Sequence, residues 1–299
     1  MSSSRIWADL PVDPDMTMLD AADLDAANPD SRTCATALDL AELRDRLVVP
    51  AIGARAAGAP PTSQDSQQDS QQDSQQIRLH HGRPLLFPAV VNDRIVGDDL
   101  AITLADASDP ALQYVYLNMV KNAGGEHNTP LSDPWYRRHL HRSRRLLGSA
   151  KGLVLDVGCD NPALSRQLFP AGVRYVGLDP GLGPRSEPCL AGMAEFLPFR
   201  AQTLDGVAFL TSLDHVLDYQ AALDEAWRVL RPGGQLFLAT LIWTQRAELI
   251  NDNIHFHHFR QYEIEGALAA FRIDQITRHV WKGDDHRFGV YLMATKTAT

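Results

Sequence analysis

The sequence predicts an α/β protein, with a seven-stranded and mostly parallel sheet that follows a small N-terminal α+β domain. From residue 151 onward, apolar runs that stop at glycine or acid alternate with segments of helical spacing, as in buried parallel strands. Residues 271–281 and 288–296 then indicate an antiparallel strand pair that closes the sheet. The predicted divisions are a disordered leader (1–36), the small domain (37–105), a helical connector or lid (106–150) and the sheet domain (151–299).

Two segments of the N-terminal third are expected to lack a fixed structure. The leader is rich in Asp, Ala, Ser and Pro, which is typical of a poorly ordered terminus. A Ser/Gln/Asp repeat fills a predicted loop at 60–76 and has nothing to bury. Leucines at helical spacing predict a helix over 38–47, and short strands joined by turns are expected over 77–79 and 84–96.

The connector is expected to be helical. Its second helix, over 135–147, carries seven arginines and histidines. We weigh two interpretations equally: a solvated helix face, or a cap that offers cations to a carboxylate or phosphate. Four aromatic residues of the connector are candidate lid residues, although helical aromatics are more often core: Tyr114, Tyr116, Trp135 and Tyr136.

The first two strands of the sheet domain carry the strongest functional signal. Strand 153–157 ends in a turn at Gly158, and strand 175–179 ends in Asp179. In nucleotide-binding α/β folds an acid at the second strand end accepts hydrogen bonds from ribose hydroxyls, and the glycine lets backbone approach the ligand. The spacing therefore predicts an adenosine-type site at the carboxyl edge of the sheet.

The turn after the first strand indicates which adenosine ligand fits. A dinucleotide site needs Gly-x-Gly-x-x-Gly, but residues 158–162 read Gly-Cys-Asp-Asn-Pro. An acid beside a pyrophosphate is repelled by roughly 1–4 kcal/mol, whereas a sulfonium ligand with an ammonium group tolerates it. This favours S-adenosylmethionine over NAD.

Several further stretches resemble a known family. The sequence from 152 to 240 is similar to the class I S-adenosylmethionine-dependent methyltransferases that act on small molecules and lipids, which implies a Rossmann-like methyltransferase sheet. The matching stretches are Val154–Cys159, the acid Asp179, Gly192–Phe199, Leu204–Val207, Ser212–Val216 and Glu225–Gly234.

The resemblance implies a set of cofactor contacts. The implied residues are Asp156, Gly158 and Cys159 at the methionine end, Asp179 at the ribose, Met193 and Ala194 at the adenine, and Thr211 and Leu213 near the methyl group. Two positions depart from the family: the second glycine of the first turn is missing, and Met193 replaces an acid that accepts the adenine amino group. Loss of one such hydrogen bond weakens cofactor binding by about 1 kcal/mol.

The small domain has a weaker likeness. Its order of elements is similar to a zinc-ribbon-like domain that activates some methyltransferases as a separate subunit. That family carries cysteines near Pro50 and His80, and this chain has none there. The likeness implies at most a metal-free version, and the adjacent His80 and His81 are more readily explained as polar surface.

Histidines are the candidate catalysts. An imidazole can remove a hydroxyl proton near neutral pH, and His215 follows the fourth strand while His255 and His257 follow the fifth. Three histidines within 255–258 could also bind a metal. We expect no metal, because no carboxylate cluster joins them in the sequence.

Charge and composition narrow the partners. The chain has 28 Lys plus Arg against 37 Asp plus Glu, a net charge of −9, which disfavours nucleic acid. Its three scattered cysteines cannot form a disulfide framework, and neither a membrane-spanning run nor a signal sequence is evident, so we expect a cytoplasmic protein without membrane insertion.

The function that these observations favour is methyl transfer from S-adenosylmethionine to a small-molecule, carbohydrate or lipid-precursor acceptor, on oxygen in preference to carbon or nitrogen. Two alternatives remain open. One is a cofactor-binding scaffold that activates a partner protein, and the other is an RNA-modifying methyltransferase that uses the arginine-rich helix.

Overall fold

The computed structural model of the chain describes residues 35–37, 40–47, 77–97, 99–101, 112, 116, 134–187, 189–252, 255–280 and 286–297. Almost all of the predicted leader, the whole repeat loop and most of the first connector helix lie outside these residues. Among the described helices, none has the length and apolar character needed to cross a bilayer.

The described residues contain twelve strands: β1 (Thr36–Ala37), β2 (Leu79–His80), β3 (Arg83–Pro84), β4 (Ile95–Val96), β5 (Asp99–Leu100), β6 (Leu153–Val157), β7 (Arg174–Asp179), β8 (Leu190–Ala191), β9 (Leu204–Leu210), β10 (Leu230–Trp243), β11 (Phe271–His279) and β12 (Arg287–Lys296). They also contain six α-helices: α1 (Leu40–Leu43), α2 (Ala89–Asn92), α3 (Pro134–Leu146), α4 (Pro162–Arg166), α5 (Tyr219–Val229) and α6 (Gln261–Ala267).

Eight strands form the main sheet, in the order β1–β7–β6–β9–β10–β12–β11, with β8 also paired to β7. Within this sheet the pairs β1–β7, β7–β8, β7–β6, β6–β9 and β9–β10 are parallel, and β12 runs antiparallel to both β10 and β11. The predicted α/β class and the antiparallel closing pair are therefore confirmed. The sheet has one strand more than predicted, because β1 pairs with the start of β7 while β8 pairs with its end.

Strand burial explains why the carboxyl edge of this sheet carries the site. All five residues of β6 are buried, as are the last five of β7, because helices and loops cover both faces. Parallel strands place their carboxyl ends at one edge, and ligands of open α/β sheets bind in the crevice there. The ends of β6, β7, β8 and β9 consequently meet.

Three predicted elements differ in extent or type. Strand β10 begins at Leu230 rather than 235, with a register shift between Leu230 and Gln235 that accommodates the turn residues between them. Helix α6 ends at Ala267, three residues earlier than expected. Residues 89–92 are helical rather than extended, because the Pro88 carbonyl accepts the N–H groups of Val91 and Asn92 and starts a helical turn.

The small N-terminal elements pack against the edge of the main sheet. The Leu86 N–H donates to the Ala191 carbonyl at 2.8 Å, beside a parallel bridge between Leu85 and Ala191. The Arg83 guanidinium is 2% exposed and donates to five carbonyl oxygens, those of Asp179, Gly181, Gly183, Cys189 and Leu190. One buried cation from the N-terminal segment thereby holds the loop that links β7 to β8.

Candidate active site

A cavity of about 360 Å³ opens at the carboxyl ends of β6, β7, β8 and β9. Pockets for molecules of cofactor size usually begin at about 300 Å³. Seven of the eight predicted cofactor residues line it: Asp156, Gly158, Cys159, Asp179, Met193, Ala194 and Thr211. Leu213 is not among the described lining residues, and it is fully buried in the hydrophobic core.

The turn after β6 contains one glycine, Gly158, and forms without a second one. Gly158 has φ +75°, and a Cβ there would lie 2.5 Å from the Cβ of Ser212, so only glycine fits. Asp160 adopts a left-handed conformation, φ +46°, which Asp tolerates better than most residues. Asn161 then caps α4 by accepting the Leu164 N–H at 3.0 Å. Asp160 thus adopts a left-handed backbone that glycine would adopt without strain, and Asn161 begins the helix.

Asp179 ends β7 and is already engaged. Its Oδ1 accepts the Gly181 N–H at 2.9 Å and the Arg185 guanidinium at 2.6 Å, while its Oδ2 accepts the Asp160 N–H at 3.1 Å. A carboxylate offers about four acceptor positions, so three are filled. Two of these donors are backbone N–H groups, and the third is the Arg185 side chain. Two ribose hydroxyls can both bind here only if one of the three donors shifts or shares its position.

Asp156 lies beneath the turn as a buried carboxyl. Its Oδ2 accepts the Tyr175 hydroxyl at 2.9 Å and the Ser165 hydroxyl. Burial disfavours its charged form and raises its pKa to about 6, although the two hydrogen bonds act in the opposite direction. The cavity therefore disfavours the charge of Asp156 when it is empty, and a cationic ligand beside this carboxyl would favour the charged form.

The end of β9 is strained. Thr211 has φ +59°, which is rare for a β-branched residue, and its N–H donates to the Ala239 carbonyl at 2.8 Å. The next residue, Ser212, donates its hydroxyl to the Val157 carbonyl at 2.5 Å. The strained turn thereby ties the end of β9 to the end of β6, on either side of the cavity.

Helix α3 covers the cavity with aromatic and apolar side chains. Trp135, Tyr136, His139 and Leu140 line it, and no arginine of this helix is among the described lining residues. The His139 ring stacks on Trp135 at 5.6 Å and contacts the Tyr291 hydroxyl at 3.3 Å. Burial, together with Arg142, lowers the pKa of His139 to about 4, so the His139 imidazole is neutral at physiological pH. The placement favours the lid role of Trp135 and Tyr136 over the cationic cap.

The three predicted catalytic histidines occupy different places. His215 lines the cavity, whereas His255 and His257 are not among the described lining residues. The His257 Nε2 lies 3.1 Å from the Leu217 carbonyl, and its ring stacks on Phe259. His255 lies beside His215, with 4.7 Å between ring centroids, and bonds to Asp252.

One assumption from the sequence is wrong. Carboxylates do join the histidines: Asp252 lies 2.7 Å from His255 Nδ1, and Asp214 lies 3.7 Å from His255 Nε2. These residues come from different loops, which only the fold brings together. Cys159 and Cys189 are both buried as free thiols, and a hydrogen bond to Cys189 together with burial raises the pKa of the Cys159 thiol.

Sequence reasoning did not single out four residues of the site. His139, Ser165, Tyr175 and Arg185 each line the cavity or bond to an acid within it. His139 was one of many basic residues on a helix, and the Trp135–His139 spacing of four could have singled it out as facing the same side as the aromatic lid.

Comparison with known proteins agrees with this geometry. Residues 155–238 match the family model described as "Methyltransferase domain". The chain is 31% identical over 108 residues to the human mitochondrial ubiquinone biosynthesis O-methyltransferase, covering 31% of this chain and 29% of that protein. It is 36% identical over 116 residues to the demethylmenaquinone methyltransferase of Mycolicibacterium paratuberculosis, covering 36% and 50%.

One solved structure that the chain resembles is the Burkholderia thailandensis 1,6-didemethyltoxoflavin-N1-methyltransferase, with a TM-score of 0.42 and 18% identity over 56% of this chain and 82% of that one. The chain spans half or less of the length of these two curated relatives. The residues that match the methyltransferase model, 155–238, lie within the predicted sheet domain.

Proposed function

We propose that this chain is an S-adenosylmethionine-dependent methyltransferase that acts on a small-molecule acceptor, on oxygen. The observation that carries the proposal is the meeting of the Gly158 turn and the Asp179 carboxylate at one cavity within a methyltransferase domain. The names of the relatives, ubiquinone biosynthesis O-methyltransferase and demethylmenaquinone methyltransferase, favour an acceptor of quinone type.

The residues of the cavity fit the cofactor by their chemistry. Asp179 would accept the ribose hydroxyls, and the backbone at Met193 and Ala194 would meet the adenine. The Asp156 carboxyl would lie at the cationic methionine end, whose charge would favour the ionised acid, and the glycine at 158 leaves space that a Cβ would fill. When bound, S-adenosylmethionine supplies a methyl group that its positive sulfur activates for displacement.

The acceptor side of the cavity combines a hydrophobic lid with one candidate base. Trp135 and Tyr136 of α3 offer flat surfaces for a ring, and His139 remains neutral beside them. His215 lines the cavity and would take the hydroxyl proton of the acceptor. In the transfer the acceptor oxygen forms a bond to the methyl carbon, and the carbon–sulfur bond breaks with its electron pair left on sulfur. His255 and His257 would contribute indirectly, by positioning the segment that contains His215.

Calorimetric titration with S-adenosylmethionine and S-adenosylhomocysteine tests the cofactor assignment. We expect binding by the wild type, at least tenfold weaker binding by Asp179→Asn, and unchanged binding by Asp224→Asn, which alters an exposed acid of α5. Absence of binding to the folded wild type would overturn the proposal.

The transfer itself requires a second assay. Incubation with S-adenosylmethionine and a panel of hydroxylated quinones and phenols should yield S-adenosylhomocysteine only when a suitable acceptor is present. Mass spectrometry of the product locates the added methyl group, and methylation on carbon or nitrogen alone would refute the oxygen assignment.

A further inference from the structure

A cluster of three potential metal ligands lies beside the cavity. Asp214, His215 and His255 each contribute one ligand atom, and these atoms all lie within 4.8 Å of one another. Zinc binds imidazole nitrogen and carboxylate oxygen at about 2.0–2.2 Å, so ligands of one ion lie at most about 4.4 Å apart. A small closing movement of the side chains would bring all three atoms onto one ion.

Asp214 supplies an independent indication of a cation. The residue is 1% exposed, and its buried Oδ1 has no hydrogen-bond partner among the described residues. Its Oδ2 lies 3.7 Å from His255 Nε2. A buried carboxylate oxygen without a donor is costly, and a bound cation would satisfy it.

The surroundings of His255 match those of a metal-binding histidine. Its Nδ1 lies 2.7 Å from Asp252 Oδ2, a hydrogen bond that leaves Nε2 as the ligand atom and directs it toward Asp214. Metal-bound histidines nearly always donate their other N–H to such a carboxylate or carbonyl group, which fixes the ring. Asp252 thus acts as a positioning residue for His255.

Backbone contacts keep the two halves of the cluster together. The N–H groups of Phe256 and His257 donate to the Asp214 carbonyl at 2.9 and 3.1 Å. The loop after β10, which carries His255, is therefore attached to the turn after β9, which carries Asp214 and His215. The ligands are held by two segments that cannot move apart independently.

The donor set indicates the class of ion. Two imidazoles and one carboxylate suit divalent transition metals such as Zn²⁺ or Co²⁺, whereas Mg²⁺ and Ca²⁺ prefer oxygen ligands. Three protein ligands also leave a coordination position for a further ligand, as in catalytic zinc sites.

We propose that Asp214, His215 and His255 bind one divalent transition-metal ion at the wall of the cavity. Because His215 lines the cavity, a molecule inside it can reach the ion. The consequence for catalysis rests on the proposed methyl transfer. The ion would bind the acceptor oxygen and lower the pKa of its hydroxyl, so that the proton leaves to solvent and His215 serves as a ligand rather than as the base.

Metal titration of the chelator-treated full chain tests the site. With Zn²⁺ measured against a competing chelator, we expect one ion per chain, and Co²⁺ should give the visible absorption of a nitrogen- and oxygen-bound ion. Asp214→Asn and His255→Gln should each weaken Zn²⁺ binding at least 100-fold, and Asp252→Asn should weaken it 10- to 100-fold. His81→Asn, which removes an exposed histidine elsewhere, should bind like the wild type.

Failure of the wild type to bind either ion stoichiometrically would overturn the proposal, and so would equal binding by folded Asp214→Asn. If Asp214→Asn does not fold, the milder Asp252→Asn and the wild type decide the question. Titration of the same metal-free samples with S-adenosylhomocysteine separates the two proposals. Cofactor binding without metal binding refutes only the metal site, and metal binding without cofactor binding refutes the proposed function.

Discussion

The pKa values of two buried groups in the cavity are shifted in opposite directions, and the two shifts have opposite effects on how the stability of the protein depends on pH. The pKa of Asp156 rises from 3.8 to about 6, chiefly through burial. The pKa of His139 falls from 6.5 to about 4, chiefly through burial and secondarily through Arg142. Both groups are fully buried and prefer their neutral forms, so each couples folding to pH across the same range.

The signs follow from the protons bound in each state. The stabilisation from the raised pKa of Asp156 is complete below pH 3.8 and is lost as the pH rises through about 6. The stabilisation from the lowered pKa of His139 is complete above pH 6.5 and is lost as the pH falls through about 4. At about 1.4 kcal/mol per pKa unit, each effect is about 3 kcal/mol, so the two nearly cancel in the wild type.

Removing one group should reveal the other. In Asp156→Asn, whose amide oxygen can still accept both hydroxyl hydrogen bonds, the free energy of unfolding should rise by about 3 kcal/mol between pH 4 and 6.5, relative to the wild type. In His139→Gln it should fall by about 3 kcal/mol across the same range. The double variant should again resemble the wild type in its pH dependence.

Urea unfolding followed by tryptophan fluorescence at pH 4, 5, 6 and 7 measures these slopes. Asp224→Asn serves as the control, because it removes an exposed acid. The reasoning is refuted if the two single variants change with pH in parallel with the wild type, or if both change in the same direction.

Three further changes test the architecture of the site. Arg83→Met should lower the free energy of unfolding by about 2–4 kcal/mol and weaken cofactor binding, since five carbonyl oxygens lose a charged donor; chemical denaturation and calorimetry measure both, and Arg83→Lys should lose less. Gly158→Ala should cost about 2–4 kcal/mol of stability, because the new Cβ meets Ser212 in a left-handed turn; stability like that of the wild type would contradict the turn geometry. Tyr175→Phe removes a hydrogen bond to charged Asp156 and should raise the pKa of that carboxyl further, which carboxyl-labelled NMR titration detects; a lowered pKa would contradict the hydrogen-bond account.

Much of the fold was predictable because strand signals are local. The buried runs of β6 and β7 ended in residues that predicted the turn at Gly158 and the acid Asp179 at the sheet edge, and α5 and α3 were located to within one residue. The helical turn α2 was missed, because it depends on the Pro88 carbonyl and on the Asn92 side chain, which donates to the Phe87 carbonyl at 2.8 Å. Such short-range polar contacts leave no periodicity to detect.

The sequence by itself determined the α/β class, the methyltransferase resemblance and the residues at the strand ends, because hydrophobic periodicity and turn residues act over a few positions. Only the tertiary structure decided which polar groups meet. It placed Asp214 and Asp252 beside His255, Arg185 on Asp179, and the Arg83 guanidinium beneath the loop after β7. These contacts join segments far apart in the chain, and their energies depend on burial and distance, which no single stretch of sequence contains.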